Sequence, residues 1–208
     1  CIDPSARRIG AVNTVVTDGE KLTGYNTDAL GFARALDAYS VDVKDREVLV
    51  LGAGGAARAV VFSLLDKGAK VTVLNRDAVK AASLARDVAA ETSGGVAHGA
   101  LSDEAFDEYV SGCTLLVNAT SVGMHPCPNE LPCPRRFLRP DLTVCDIVYN
   151  PPETLLLRQA RECGAVVIPG DEMLVQQGAL AFELWTGVAA PVEIMRATVR
   201  QELNSGAK

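Results

Sequence analysis

Short apolar runs alternate along the chain with longer segments whose apolar positions recur at helical spacing. Runs rich in β-branched residues that end at turn-forming residues predict strands. The strands are predicted at Glu47–Leu51, Lys70–Leu74, Thr114–Asn118, Thr143–Val148 and Ala165–Ile168, with Gly95–Ala100 as a weaker candidate. The helical spacing predicts helices at Gly54–Lys67, Ala78–Ala90, Asp103–Val110 and Thr154–Cys163. Because the strands are apolar on both faces, they favour a parallel sheet covered by helices on each side.

The alternation of strands and helices with short connections requires right-handed crossovers. We therefore predict an α/β fold, a Rossmann-like doubly wound parallel sheet with the strand order 3-2-1-4-5-6. Two segments fall outside this sheet. Residues 1–27 contain the apolar run AVNTVV, a turn at Asp18-Gly19 and a second strand-like piece, and residues 171–208 predict two helices broken near Gly187–Pro191.

Composition narrows the class of protein. Of 208 residues, 48% are hydrophobic and 22% charged, as in ordinary globular proteins that fold without disulfides. The net charge of −6 argues against a nucleic-acid surface, although a local pocket can still be positive. No apolar run approaches the roughly 18 residues of a membrane span. We expect no nucleic-acid partner and no membrane association.

Six cysteines are present, but none forms a C-x-x-C pair, and the two histidines lie far apart. Reduced thiols in a cytoplasmic protein, without a metal site, are therefore the expectation. The chain begins Cys-Ile-Asp-Pro instead of with methionine, which we interpret as the start of a fragment.

The sequence VLVLGAGGAARAV places a G-x-G-x-x-A pattern directly after a predicted strand and at the start of a predicted helix. Gly52 permits a tight turn, Gly54 lets the backbone approach a pyrophosphate, and Ala57 allows close packing of helix on strand. The positive end of the helix then attracts phosphates. Because a second strand follows at the expected distance, this pattern predicts a dinucleotide site.

The end of that second strand usually distinguishes NAD from NADP. Here it carries Asn75-Arg76-Asp77, with Lys80 one helical turn onward. Arg76 and Lys80 offer positive charge to a 2′-phosphate, which favours NADP. Asp77 would repel that phosphate, so NAD remains possible; alternatively, Asp77 only caps the helix.

Seven stretches, in order along nearly the whole chain, resemble shikimate dehydrogenases of the shikimate/quinate dehydrogenase family. They are IGAVNT (Ile9–Thr14), GYNTDALGF (Gly24–Phe32), GAGGAARA (Gly52–Ala59), NRD (Asn75–Asp77), NATSVGM (Asn118–Met124), DIVYNPPETLLL (Asp146–Leu157) and GDEMLVQQGALAFELWTG (Gly170–Gly187). The resemblance implies reversible reduction of 3-dehydroshikimate to shikimate by NADPH. It also implies that residues 1–27 are a remnant of a substrate-binding domain, that 28–170 bind the nucleotide, and that 171–208 pack toward the substrate domain.

The resemblance assigns substrate contacts to Asn13, Asp28, Tyr149 and Gln177, and makes Asp28 half of a catalytic lysine–aspartate pair. Together with the glycine pattern and the basic residues after the second strand, it indicates cofactor contacts at Gly52, Ala53, Gly54, Gly55, Ala56, Asn75, Arg76, Lys80, Asn118, Thr120, Ser121, Val122, Met124, Val148 and Gly170. Structural alternatives exist for the substrate residues. Asp28 can cap the helix ALGFARAL, Asn13 can satisfy backbone groups in a turn, and Gln177 can lie on a solvated helix face.

The family's catalytic lysine and its carboxylate-binding serines precede AVNT, and no lysine of this chain sits in the matching motif. We therefore expect the isolated chain to be inactive or nearly so, while its parent is an active dehydrogenase, monomeric or homodimeric. Two alternatives stay open: a quinate/shikimate dehydrogenase that uses NAD or NADP, and a non-catalytic nucleotide-binding sensor. The NTD and MLVQQ motifs argue against a third, another Rossmann dehydrogenase with an amino-terminal extension such as a methylene-tetrahydropterin type, because they match a polyol acid and not a pterin.

Overall fold

A computed structural model describes residues 1–92 and 95–205. The chain begins with a short helix, α1 (Pro4–Ile9), which the sequence did not predict. Asp3 caps its first turn by accepting from the Ser5 amide, and Gly10 ends it in the left-handed conformation. A hairpin of β1 (Thr14–Asp18) and β2 (Lys21–Tyr25) follows, with the predicted turn between the strands.

Helix α2 (Asp28–Ala38) leads into the sheet, whose elements alternate as predicted. They are β3 (Glu47–Leu51), α3 (Gly55–Asp66), β4 (Lys70–Asn75), α4 (Ala78–Glu91), β5 (Ala97–Ala100), α5 (Asp103–Tyr109), β6 (Leu115–Asn118), β7 (Thr143–Asp146), α6 (Leu155–Glu162) and β8 (Val166–Ile168). A short 3-10 helix, Arg135–Phe137, lies between β6 and β7.

All six strands of the sheet are parallel, in the spatial order β5-β4-β3-β6-β7-β8. This is the predicted 3-2-1-4-5-6 arrangement, so the doubly wound α/β fold is confirmed. The strand predicted at Thr143–Val148 ends at Asp146, where the Val148 amide donates to the Asp146 side chain. Its last two residues therefore belong to the loop at the carboxyl edge of the sheet.

Two hydrophobic cores lie on opposite faces of the sheet. Along β3, Val48 and Val50 face one core, and Leu49 and Leu51 face the other. Successive side chains of a strand point to opposite faces, so a strand buried on both sides is apolar throughout. This burial explains the continuous apolar run that predicted the strand.

The two C-terminal helices are α7 (Gly170–Thr186) and α8 (Val192–Ser205), and Gly187 ends the first of them in the left-handed conformation. Arg196 of α8 donates to both carboxylate oxygens of the buried Glu172, and Arg200 donates to Asp171 at 2.6 Å. Burial raises the pKa of Glu172, but hydrogen bonds from Arg196 and Gln176 outweigh it and lower the pKa overall. These ion pairs hold α8 against the beginning of α7.

Helices α2 and α7 cross at close range. A Cβ on Gly31 would lie 2.8 Å from the backbone nitrogen of Gln177. The absence of a side chain at Gly31 therefore sets the distance between these helices. Among the residues described, no helix has both the length and the apolar character needed to cross a membrane.

Candidate functional site

The glycine turn between β3 and α3 has the geometry that a dinucleotide site requires. Gly52 has a φ of +111°, and a Cβ at this position would lie 2.6 Å from the carbonyl oxygen of Ala119. Only glycine fits that conformation and that approach. Gly54 precedes α3 without any side-chain cap, and a Cβ on Gly54 or Gly55 would point into open space. The first amides of α3 are thus left to face a ligand.

A depression of about 270 Å³ lies beside this turn, lined by Ala53, Gly54, Gly55, Arg58, Lys80, Ser83, Leu84 and Asp87. It brings together four of the predicted cofactor residues. Arg58 was not predicted, although it stands inside the GAGGAARA motif. Its guanidinium is already engaged, because it donates to the Ile9 carbonyl and pairs with Asp87 at 2.7 Å. Arg58 thus joins α1 to α3 and α4.

Asp77 caps helix α4, which was one of the two interpretations of this residue from the sequence. Its Oδ1 accepts from the Val79 amide at 3.0 Å and from the Lys80 amide at 3.4 Å. Asn75 donates to the Asp77 carbonyl and so stiffens the turn. The side chains of Arg76 and Lys80 form no ion pair with any residue the structure describes. Arg76 at the end of β4, and Lys80, which lines the depression beside the glycine turn, are therefore cations without an ion pair among residues 1–92 and 95–205.

The four predicted substrate residues line one cleft. Its volume is about 270 Å³, and its walls are Asn13, Asp28, Ala56, Ile147, Tyr149, Gly170, Met173, Leu174 and Gln177. The cleft lies at the carboxyl edge of the parallel sheet, where ligands bind in open α/β folds. Ala56 and Gly170, two predicted cofactor residues, contribute to the same walls. No residue that the structure places around this cleft is a lysine.

Asp28 is free to face the cleft because Asn26, two residues earlier, caps the helix instead. The Asn26 side chain accepts from the Asp28 and Ala29 amides at 3.1 and 3.2 Å, at the beginning of α2. The interpretation of Asp28 as a helix cap is therefore wrong. Partial burial raises the pKa of Asp28, and a hydrogen bond from Asn13 lowers it by less. The Asp28 side chain is therefore not engaged in helix capping and lines the cleft.

Asn13 and Gln177 have structural contacts as well as places in the cleft. The Asn13 oxygen accepts from the Thr27 amide at 2.9 Å, so its proposed role in satisfying backbone groups is confirmed. Gln177 is half-buried and not on a solvated face; it donates to the Leu174 carbonyl and accepts from the Thr27 hydroxyl. Tyr149, in contrast, is 44% exposed.

The loop of residues 118–124 after β6, here called the β6 loop, has a buried base and an exposed tip. Asn118 is fully buried and accepts from the amide and the hydroxyl of Thr120 at 3.1 and 2.7 Å. Thr120 in turn accepts from the Val122 amide, so its hydroxyl is engaged within the loop. Ser121 and Met124 are exposed, and Val122 is partly exposed. Asn118 is one of the residues predicted to contact the cofactor. It is buried at the base of the loop and supports the loop through these hydrogen bonds.

Val148 and Gly170 meet behind the cleft. Val148 is buried, and a Cβ on Gly170 would lie 2.5 Å from the Val148 carbonyl oxygen. Gly170 therefore lets α7 begin directly against the loop that follows β7. A larger groove of about 420 Å³ lies elsewhere, between α1, α2 and α7, and contains none of the predicted site residues.

Among the described residues, no three histidine, cysteine or acidic side chains come together as metal ligands would. The six cysteines are free thiols, and three of them, Cys113, Cys133 and Cys145, are buried. Burial raises the pKa of the Cys113 thiol to about 11 and that of Cys133 to about 12. These thiols therefore stay protonated and pack as small apolar groups.

Comparison with known proteins decides the family. Residues 34–122 match the family described as Shikimate / quinate 5-dehydrogenase, and residues 170–200 match the Shikimate 5'-dehydrogenase C-terminal domain. A shikimate dehydrogenase (NADP(+)) of Methanosarcina acetivorans is 47% identical over 204 residues, which are 98% of this chain and 72% of that protein. The chain belongs to the shikimate dehydrogenase family.

Solved structures of the shikimate dehydrogenase family share the fold. Shikimate 5-dehydrogenase from Thermus thermophilus, in complex with NADP(H) and shikimate, superposes with a TM-score of 0.85 at 40% identity, covering 96% of this chain and 71% of that one. Quinate dehydrogenase from Corynebacterium glutamicum, in complex with NAD, gives a TM-score of 0.90 at 33% identity, covering 96% of this chain and 71% of that one.

Proposed function

We propose that this chain is the nucleotide-binding part of an NADP-dependent shikimate dehydrogenase, which interconverts 3-dehydroshikimate and shikimate by hydride transfer. One observation carries the proposal. Asn13, Asp28, Tyr149 and Gln177 line a single cleft that shares Ala56 and Gly170 with the predicted cofactor site. A polyol acid and a nicotinamide can thus meet at the carboxyl edge of the sheet.

The residues around the glycine turn fit NADP. The open space over Gly54 and Gly55 accommodates a pyrophosphate against the first amides of α3. Arg76 and Lys80, which lack an ion pair among the described residues, would hold the 2′-phosphate with charge-assisted hydrogen bonds. Asp77 directs its carboxylate to the amides of α4, so its charge is partly compensated by the helix.

The cleft residues would bind and orient the substrate. When bound, NADPH supplies the hydride for the substrate carbonyl. Asp28 accepts a hydrogen bond from a substrate hydroxyl, while Asn13 and Gln177 offer amide groups to the others. Burial, which raises the pKa of Asp28, also strengthens such a hydrogen bond by excluding water.

The new alkoxide requires a proton donor, which the family resemblance assigns to a lysine beside Asp28. The residues described around the cleft include no lysine. We therefore propose that the 208-residue chain binds NADP and catalyses the reaction slowly or not at all. In this proposal residues 28–170 bind the nucleotide, and residues 1–27 and 171–208 form the substrate side.

The free thiols support a reducing compartment such as the cytoplasm. A monomeric or homodimeric state stays a prediction.

A second candidate is a quinate/shikimate dehydrogenase that uses NAD as well as NADP. Asp77 supports it, because its carboxylate lies next to the proposed 2′-phosphate site. The Corynebacterium glutamicum relative, a quinate dehydrogenase in complex with NAD, supports it too.

Calorimetric titration of NADP+ into the 208-residue chain and three single variants tests the proposal. We expect Arg76→Ala and Lys80→Ala each to weaken NADP+ binding by about tenfold, through the loss of charge-assisted hydrogen bonds. Arg86→Ala is the matched control, since Arg86 is an exposed cation on the same helix but further from the glycine turn. Equal losses in all three variants, or no loss in the first two, would contradict the proposed phosphate site.

A further inference from the structure

Three segments around the cleft meet at one buried carboxylate, that of Asp146 at the end of β7. Its Oδ1 accepts from the Asn118 side-chain amide at 2.9 Å and from the Val148 amide at 3.0 Å. Its Oδ2 accepts from the Thr154 hydroxyl at 2.6 Å. All three partners donate to the carboxylate, an arrangement that suits its ionised form.

Each partner of Asp146 belongs to a different segment. Asn118 forms the base of the β6 loop and also donates to the Val122 carbonyl at 3.1 Å. Val148 directly precedes Tyr149 and contacts the beginning of α7 at Gly170. Thr154 caps α6 by accepting from the Leu157 amide. One side chain therefore fixes the β6 loop, the segment that carries Tyr149, and α6 relative to one another.

The charge of Asp146 has no counter-ion among the described residues. Burial raises its pKa to about 6, although its three hydrogen bonds lower it by less, so the carboxylate is ionised at neutral pH. The titratable groups that interact with it electrostatically are the thiols of Cys133 and Cys145, whose pKa values are also raised by burial, so both are neutral. A buried charge that is held only by neutral donors is costly to the fold. Such a cost is commonly found at functional sites.

The β6 loop also touches the glycine turn, because the Ala119 carbonyl oxygen lies only 2.6 Å from where a Cβ of Gly52 would be. Because β6 lies on the other side of β3 from β4, the β6 loop borders the half of the nucleotide site opposite Arg76 and Lys80, which we take as the nicotinamide half. The phosphate end, around Arg76 and Lys80, lies beyond β4 on the other side of β3.

We propose that Asp146 is a positioning residue, which holds the β6 loop and the Tyr149 segment in the arrangement that receives the nicotinamide half of the cofactor. The inference rests on the proposed function. It predicts that loss of the Asp146 contacts weakens binding of the nicotinamide half and spares binding of the phosphate half.

The test compares two ligands. Calorimetry measures the affinity of the 208-residue chain for NADP+ and for adenosine 2′,5′-bisphosphate, which contains the phosphate half but no nicotinamide. We expect Asp146→Asn and Thr154→Val to weaken NADP+ binding by about tenfold, as the loss of hydrogen bonds to a charged group implies. Binding of adenosine 2′,5′-bisphosphate should change by less than about twofold. Thr154→Ser keeps the hydroxyl and should bind both ligands as the original chain does.

The possible outcomes separate the two claims. If the original chain binds neither ligand, the proposed function fails, and this inference fails with it. If the original chain binds both ligands and the two variants lose both equally, Asp146 only stabilises the fold and the inference is overturned. Unchanged NADP+ binding in Thr154→Val, with thermal unfolding showing a folded protein, also overturns it, even if Asp146→Asn does not fold.

Discussion

At the beginning of α2, Asn26 caps the helix and Asp28 faces the cleft, although either residue type can do both. Both side chains are good helix caps, so the sequence cannot tell which one caps. In the structure Asn26 accepts the free amides, and Asp28 is left to face the cleft. A carboxylate that caps no helix and is partly buried is the strongest residue-level support for a binding role.

We expect Asp28→Asn to weaken the binding of shikimate to the NADP+-saturated chain by about tenfold, because a charged acceptor is replaced by a neutral one. In the original chain, binding should weaken as the pH falls through the pKa of Asp28, which burial raises above 3.8. The variant should lack this dependence. Saturation-transfer NMR measures both affinities.

The control for this experiment is Asp18→Asn, which removes an exposed carboxylate at the hairpin turn. Its shikimate affinity and pH dependence should match those of the original chain. An Asp28→Asn variant that binds shikimate as tightly as this control would remove Asp28 from the site.

Some residues lay beyond sequence reasoning for physical reasons. Arg58 stands in a recognised motif, but its partners, Ile9 and Asp87, are distant in sequence. Asp146 also lies in a recognised motif, but its burial and its three donors depend on the packing of separate segments. The four proposed substrate residues could be predicted only from the family motifs, since their residue types alone fit turns and helix surfaces equally well.

At the scale of elements, the apolar pattern predicted the sheet and its order because the strands are buried on both faces and their connections are short. The weaker strand, β5, lies at the edge of the sheet and is mostly exposed, which explains its poor signal. Helix α1 has only six residues, too few for a periodic pattern. The contact of α2 with α7 could not be predicted, because it joins elements that are distant in sequence.

The crossing of α2 and α7 gives an element-level prediction. A Gly31→Ala substitution would place a Cβ 2.8 Å from the Gln177 backbone and force the helices apart. We expect a loss of about 2 kcal/mol in the free energy of unfolding, typical of overpacking. Urea denaturation followed by circular dichroism measures the change.

Gly178→Ala is the matched control, because a Cβ there would meet only the flexible end of Met195 at 3.5 Å. It should leave the stability unchanged or raise it by up to about 1 kcal/mol, from the better helix propensity of alanine. If Gly31→Ala is as stable as Gly178→Ala, the absence of a side chain at Gly31 does not set the distance between α2 and α7.

For the whole molecule, the important feature is that the glycine turn, the β6 loop and the cleft all lie at the carboxyl edge of one parallel sheet. That edge is where open α/β folds bind ligands. The chain carries a net charge of −6, yet two cations without an ion pair among the described residues stand at the proposed phosphate site. An acidic protein can thus select a cofactor that carries an additional phosphate.

We propose that this family member uses its glycine turn, Arg76 and Lys80 to bind NADP in preference to NAD. Parallel calorimetric titrations of the 208-residue chain with NADP+ and with NAD+ compare the two affinities. We expect one site per chain and NADP+ binding that is at least about tenfold tighter than NAD+ binding, because of charge-assisted bonds to the 2′-phosphate. NAD+ binding of equal or greater affinity, or no binding of either nucleotide, would contradict it.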